Sequence, residues 1–302
     1  MNLKYNIIGA GGTGGNIGGF LTHGGKDVTF VVRGNTKKVL DRQGLHMISG
    51  RMGEVAFAVK TASEDEVAPA DVVFVCVKGY SLTDILPLIE KSCHENTLII
   101  PVLNIFGTGS KLQKHFPNNV VTDGCVYIAG FAEKPGYIHQ QGKLFRVVFG
   151  TRDGKNEHPY LQQVASDLQE SHVDALLSYS ILKDTYQKFA FVSPMAVAGL
   201  YFDATAEQMA QEGEIHNTFV SLVREAITLG KAMNIAIEDN EEEKILVMLT
   251  QMAPDTTTSL QKDMKKGGQT EMDGLLFEVV RLAKQYHVSL PYYEKIAKAF
   301  CE

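Results

Sequence analysis

The 302-residue chain has no tryptophan, four cysteines, nine prolines and a formal net charge of −6 from 29 basic and 35 acidic residues. Each shortage excludes something. Cys76, Cys93, Cys125 and Cys301 are far apart and form no C-x-x-C pair, so no disulfide framework is written into a chain this long. The nine histidines are scattered with no pair four residues apart, and the sequence offers no metal site. The shortage of positive charge leaves no electrostatic footprint for nucleic acid or for an anionic membrane surface. A mean hydropathy of −0.06, with 44% hydrophobic and 21% charged residues, provides no apolar surplus for lipid. The N-terminal segment Met1-Asn2-Leu3-Lys4-Tyr5 opens a strand at once, without the charged and apolar regions of an export signal. A reduced cytoplasmic setting is the expectation.

Glycine is in excess, with 28 residues, about 9% against a usual ~7%. Seven of them, Gly9, Gly11, Gly12, Gly14, Gly15, Gly18 and Gly19, fall within eleven residues. The length predicts about two domains, each with its own core.

Aliphatic runs at Tyr5–Ile8, Val28–Val32, Val72–Val77 and Leu98–Leu103 are continuously apolar, as strands of a parallel sheet buried on both faces are. Amphipathic stretches between them supply crossover helices, and the architecture is α/β. Further strands at Asn119–Thr122, Cys125–Ala129, Tyr137–Gln140 and Phe145–Phe149, broken by turns at Lys134-Pro135-Gly136 and Gln141-Gly142, predict that the sheet ends in antiparallel hairpins. After a helix near Pro159–Ser171 the pattern becomes helical, at about 181–202, 205–212, 214–234, 239–251, 268–287 and 291–300. The expected domains are 1–177 and 178–302, the second all-helical. Glu241-Glu242-Glu243 reads as a solvated first helical turn.

Gly9-Ala10-Gly11-Gly12-Thr13-Gly14 sets G-x-G-x-x-G between an apolar strand and a helix. Gly9 permits the tight turn, Gly11 lets the backbone approach a pyrophosphate, and Gly14 lets the helix pack on the strand, with the helix N-terminus facing the anion. Gly18, one turn on, should deepen the same packing. A ligand-free turn gives little reason for seven glycines, each costing backbone entropy; the segment reads as a dinucleotide cradle. An acidic residue ending the second strand would favour NAD, but Arg33 stands there, with Lys37 and Lys38 beyond it, which points to NADP. Lys78 and Asn104 end the next two apolar runs, where an open α/β sheet binds its ligands, although both could be plain loop residues.

In the helical half, Lys183 and Lys188 flank Tyr186. Either is a solvated helix lysine or, pointed into a cleft, a proton donor to a carbonyl oxygen as hydride arrives. Thr256-Thr257-Thr258-Ser259 is an N-cap or a set of hydroxyls for a substrate carboxylate, and Glu271 and Asp273 near a helix start are dipole charges or site residues.

These motifs together resemble the ketopantoate reductase family over nearly the whole chain: the glycine loop, Arg33, Val77-Lys78, Asn104-x-x-Gly107, Tyr186-Gln187-Lys188, Thr258-Ser259-Leu260-Gln261-Lys262-Asp263 and Thr270-Glu271-Met272-Asp273-Gly274. The last two blocks, ahead of Val288-Ser289-Leu290-Pro291, are the most specific. The resemblance implies a Rossmann-type NADP-binding domain followed by a helical substrate and dimerisation domain. It implies NADPH-dependent reduction of a 2-oxo acid, nominally 2-dehydropantoate to (R)-pantoate in pantothenate biosynthesis. Lys188 would then be the general acid on the 2-oxo oxygen, and Ser259 would meet the substrate carboxylate. Asn104 would contact nicotinamide and substrate, Glu271 would organise the ternary site on the coenzyme side, and Arg33 and Lys78 would meet the 2′-phosphate side of NADP. The long apolar helices leave room for a homodimer interface.

The chain departs from the family where asparagines usually follow the lysine by four and eight residues; here stand Val192 and Ala196. Thr256 replaces a frequent Asn, and Tyr186 a usual Trp. Loss of substrate-directed amides implies a more apolar pocket and makes an apolar-substituted 2-oxo acid the alternative substrate. A non-catalytic NADP-binding protein is the alternative from another class.

Overall fold

The computed structural model describes residues 2–301 and divides into two compact units, Met1–Ile181 and Leu182–Glu302. The expected boundary after residue 177 falls four residues earlier, because Ile181 packs with Cys125 and Val148 of the first unit.

The first unit begins with β1 (Lys4–Ile8), α1 (Gly12–His23), β2 (Asp27–Val31), α2 (Gly34–Gln43), β3 (Leu45–Ser49), β4 (Gly53–Phe57), β5 (Lys60–Ala62) and β6 (Ala70–Val75). It continues through α3 (Leu86–Lys91), β7 (Cys93–Pro101), α4 (Thr108–His115), β8 (Val120–Val121), β9 (Asp123–Lys134), β10 (Tyr137–Gly150), α5 (Tyr160–Glu170) and β11 (Asp174–Leu177). Six strands form a sheet in the order β5-β2-β1-β6-β7-β8, parallel at every pairing. Ile7, Phe30, Phe74 and Ile100 fill one core, and Ile8, Val31, Val73, Val75 and Ile99 another. Burial of alternate residues in different cores is why these strands read as unbroken apolar runs.

The hairpin expectation needs correction. Of the later strands only β8 joins the parallel sheet; β9 and β10 pair antiparallel with each other, and β10 belongs to a second sheet in the order β11-β10-β3-β4. The Gln141-Gly142 turn is absorbed into β10, where the ladder to β9 skips between Gln141 and Phe145 and Gly142 takes φ +65. Such a bulge changes register without ending the strand.

Helix α1 lies between the two sheets, and its glycines make that fit possible. A Cβ on Gly14 would stand 2.8 Å from Cys76 Cβ, and one on Gly18 2.6 Å from the Phe30 ring, both on the side of the parallel sheet. On the other side, a Cβ on Gly12 would lie 2.6 Å from the Gly130 carbonyl oxygen, one on Gly15 2.7 Å from Ile138, and one on Gly19 2.9 Å from Leu45. Packing alone therefore demands glycine at Gly12 and Gly14, which face backbone, and at Gly18, which faces an aromatic ring, while Gly15 and Gly19 face side-chain ends that can yield. A buried ionic knot holds the opposite end of this layer. Asp167 on α5 accepts from the Tyr5 hydroxyl, from Lys26 Nζ at 2.8 Å and from Gln163 Nε2 at 3.0 Å. Burial would raise its carboxyl pKa, but these three bonds outweigh burial and hold it below the usual range.

The second unit is helical: α6 (Ile181–Phe202, starting on the last residue of the first unit), α7 (Ala206–Ala210), α8 (Glu214–Ala232), α9 (Glu241–Thr250), α10 (Ser259–Lys266), a π-helical turn at Asp273–Phe277, α11 (Glu278–Gln285) and α12 (Pro291–Ala299). Phe219, Leu222, Val223, Ile245, Leu275, Val279 and Tyr293 are fully buried. The helix expected over 268–287 starts late, because Gly267 and Gly268 at φ +70 and +113 do not continue a helix. The acidic run is not a uniformly solvated turn. Glu241 is buried and accepts from the Gln187 side chain at 2.8 Å, while Glu242 pairs with Arg224. Among the described residues no helix is long and apolar enough to cross a membrane.

Candidate active site

The strand order reverses between β1 and β6, since the chain leaves β1 toward β2 and β5 and returns to its other side at β6. Ile8 is in register with Val31 of β2 and Val75 of β6, and Val75 with Pro101 of β7, so the four strands end together. Their carboxyl ends deliver Arg33 from β2, the Gly9–Gly14 loop from β1, Lys78 from β6 and Asn104 from β7. Ligands of open α/β sheets bind in this crevice. The structure thus gathers every first-unit residue singled out in the sequence along one edge.

The loop fits a pyrophosphate. Gly9 turns at φ +96, with its Cβ position only 3.0 Å from the Cys76 carbonyl oxygen, so no other residue suits it. Gly11 is the opposite case. It is exposed, its φ is −81, and no protein atom lies within 4 Å of where a Cβ would stand, so the protein's own packing does not require glycine there. The first helical bond runs from Gly15 N–H to Gly11 O at 2.8 Å, leaving the Gly12, Thr13 and Gly14 amides in the unbonded first turn. No side chain caps α1 and no acidic residue lies in its first turn. By contrast α7 and α10 close their N-termini with capping boxes, Thr205/Gln208 and Thr258/Gln261.

Arg33 is exposed at the N-cap of α2, beside Gly34 at φ +58. Lys78 precedes a 3₁₀ turn at Gly79–Ser81 and is half-buried. Asn104 is half-buried ahead of Gly107, whose φ of +76 turns the chain into α4. Two supporting residues escaped the sequence reading. Asp123, buried at the start of β9, accepts from Gly109 N–H at 3.0 Å and from Arg152 at 3.0 Å, pinning the first turn of α4 behind Asn104. Asn16 is fully buried on α1 and donates to Gly12 O at 2.6 Å and His139 O at 3.1 Å, tying the loop-bearing turn to β10. An Asp at a strand start and an Asn in a glycine-rich helix carry no periodic signal.

In the second unit the structure separates the two candidate lysines. Lys183 pairs with Glu238 at 2.6 Å, and Lys183 with Lys244 draws the Glu238 carboxyl down to about 2. Lys188 is 9% exposed, a burial unusual for lysine. Glu271 is likewise buried at 5%. The hydroxyl block divides its work: Thr258 and Gln261 form the capping box, and Ser259, the first residue of α10, is exposed. Asp273 is exposed and forms a two-pronged pair with Arg281 at 2.9 and 2.8 Å.

Models of the ketopantoate reductase PanE/ApbA family match residues 5–154, and models of its C-terminal domain match residues 180–300. The chain belongs to the ketopantoate reductase family. It is an oxidoreductase of the NAD(P)-dependent class that reduces 2-oxo acids. Among relatives of this reductase, the uncharacterized oxidoreductase YkpB of Bacillus subtilis is 29% identical over 97% of the chain and 96% of its own length. The 2-dehydropantoate 2-reductase of Aquifex aeolicus is 26% identical over 99% and 96%. A ternary structure of D-mandelate dehydrogenase with NADH and anilino(oxo)acetate shares the fold, with a TM-score of 0.86 at 20% identity over 98% and 96% of the two chains. The Rossmann-type first unit and helical second unit of this reductase are thus the family's architecture.

Proposed function

We propose that this reductase uses NADPH to convert 2-dehydropantoate to (R)-pantoate in pantothenate biosynthesis, as a cytoplasmic enzyme that pairs through its helical domain. The observation that carries the reading is the convergence of the glycine loop, Arg33, Lys78 and Asn104 at the carboxyl ends of four adjacent strands. Gly9, Ala10, Gly11, Gly12, Thr13 and Gly14 hold the pyrophosphate, and Arg33 with Lys78 takes the 2′-phosphate; Arg33 replaces the acidic residue that would repel it. The bound coenzyme supplies hydride to the 2-oxo carbon. Lys188 gives a proton to the oxo oxygen, so the ketone gains one hydride and one proton and becomes the alcohol. Its burial withdraws that proton from bulk water until the carbonyl needs it. Asn104 hydrogen-bonds nicotinamide and substrate through an amide that both donates and accepts. The exposed Ser259 hydroxyl donates to the substrate carboxylate, and Glu271 orders the coenzyme side of the site.

Replacing Lys188 with Ala should lower kcat by about 10²- to 10⁴-fold and leave NADPH affinity nearly intact; an unchanged kcat sinks the assignment. A second reading, reduction of a more apolar 2-oxo acid, is favoured by Val192 and Ala196 in place of the two usual asparagines. The D-mandelate dehydrogenase neighbour supports it as an example of this fold serving an aryl-substituted acid with NADH. Turnover rates across a panel of 2-oxo acids with NADPH and NADH decide between the readings.

A further inference from the structure

The helical unit contains a buried hydrogen-bond chain that the reaction as described does not use. Ser193 on α6 is fully buried, and its hydroxyl donates to the Leu275 carbonyl at 2.7 Å. That hydroxyl has one proton and a carbonyl can only accept, so the second contact, 2.7 Å to the Tyr293 hydroxyl, has Tyr293 as donor. Burial raises the Tyr293 pKa well above its usual value and keeps the donor protonated. Tyr293 is fixed in turn by its own backbone N–H, which donates to Glu225 at 3.0 Å. At the other end, the Leu275 N–H donates to the Glu271 carbonyl at 3.0 Å. The sequence Glu225, Tyr293, Ser193, Leu275, Glu271 is therefore continuous.

Its two anchor points matter to the site. Leu275 lies inside the π-helical turn Asp273–Phe277 that follows Glu271, and such turns are locally wider than an α-helix. Ser193 is five residues beyond Lys188 on α6, about 140° round the helix at 100° per residue, so it faces away from the lysine. Pro194 comes next and has no N–H for the Ala190 carbonyl, which makes this the point where α6 bends or rotates most easily.

We propose that Ser193, held by Tyr293, is a positioning residue for the reduction: it locks the rotation of α6 at its proline and ties the helix that aims Lys188 to the turn that follows Glu271. The proposal rests on the catalytic reading of Lys188 and Glu271. The side chains act on the substrate only through those two residues.

The test compares Ser193→Ala, Tyr293→Phe and Ser193→Thr in the full chain with Lys188→Ala as control, measuring kcat, KM, NADPH affinity, melting temperature and the primary isotope effect with 4-deuterated NADPH. Ser193→Ala should lose about 10- to 100-fold in kcat, the scale of small misplacements of reacting groups, with NADPH affinity within about twofold of the parent. The isotope effect should rise as hydride transfer becomes the slow step. Tyr293→Phe, which keeps the Ser193 to Leu275 bond, should show a smaller loss in the same direction, and Ser193→Thr should recover most of the rate. A folded Ser193→Ala or Tyr293→Phe with parental kcat and isotope effect, changed only in melting temperature, overturns the proposal. If Ser193→Ala does not fold, Tyr293→Phe alone decides on the same criteria. If Lys188→Ala itself retains parental kcat, the catalytic reading has failed; if it loses activity while a folded Ser193→Ala or Tyr293→Phe keeps the parental kcat, only the positioning role has.

Discussion

Gly11 and Gly14 belong to one motif but should fail in different ways when each is changed to alanine. At Gly14 the added methyl has no room: Cys76 Cβ is 2.8 Å from its position and the Gly9 carbonyl oxygen is nearer still, so α1 must move off the sheet. Overpacking of this kind costs about 1–3 kcal/mol, which in a unit of this size lowers the melting temperature by roughly 2–12 °C. At Gly11 the methyl meets no protein atom within 4 Å and the backbone is already at φ −81. Folding stability should change by less than about 1 kcal/mol, a gain in chain entropy set against a poorer N-cap. In the proposed site that space belongs to the pyrophosphate, and coenzyme affinity should fall by about 10- to 100-fold, or about 1.4–2.8 kcal/mol. Calorimetric melts without ligand and titrations following coenzyme fluorescence separate the two effects, and the absence of tryptophan keeps the protein's own emission weak. The reasoning is refuted if Gly11→Ala binds coenzyme normally, or if it melts early like Gly14→Ala.

Arg33→Ala should cut the preference for NADPH over NADH by about 10- to 100-fold, the value of charge-assisted bonds to a phosphate, read as the ratio of kcat/KM with the two coenzymes; an unchanged ratio removes Arg33 from the site. Introducing Val192→Asn and Ala196→Asn together should raise kcat/KM for 2-dehydropantoate relative to an aryl-substituted 2-oxo acid by at least about tenfold. A ratio that stays put in a substrate competition means the pocket's polarity lies elsewhere. Asp167→Asn should lose about 1–3 kcal/mol in urea unfolding at neutral pH, since the buried Tyr5 hydroxyl loses its charged acceptor and Lys26 is left with the exposed Glu170 alone. The folded carboxyl is held below its unfolded pKa, so its contribution is present above the unfolded value and vanishes as pH falls through the folded one. Parent and variant stabilities should therefore differ at neutral pH and converge in acid; a gap that persists in acid contradicts the carboxylate's role.

The strands easiest to read in the sequence are those buried on both faces. Tyr5–Ile8, Val28–Val32, Val72–Val77 and Leu98–Leu103 all correspond to strands of the parallel sheet. Of the second sheet only β9 and β10 were expected; β3 and β4 went unread because Leu45–Ser49 and Gly53–Phe57 mix buried with exposed positions and so form no unbroken apolar run. That omission distorted the meaning of the glycines. Without knowledge of a layer on the far side of α1, Gly12, Gly15 and Gly19 had no structural reason and were credited to the ligand; contact with Gly130, Ile138 and Leu45 accounts for them. Helix α6 appears at 181–202 as its periodicity predicts, but periodicity treats Lys183 and Lys188 alike. Only tertiary packing exposes one to an ion pair and buries the other. Ser193 is silent in the sequence for the same reason, because a serine in an apolar run reads as filler until its acceptor is known.

With the coenzyme bound as proposed, the missing cap on α1 would make it part of the fold's own stability. Thr205 and Thr258 satisfy the first amides of their helices from within the chain, whereas the first turn of α1 has no side chain to do so. A pyrophosphate bound as proposed would perform that task from outside, and a ligand at about 100 times its dissociation constant adds about 2.7 kcal/mol to the unit that binds it. Since α1 is wedged between both sheets, that energy reaches the two layers together. Amide exchange at Gly12, Thr13 and Gly14 should slow on binding, and cellular coenzyme supply would then govern how long the protein survives as well as how fast it turns over.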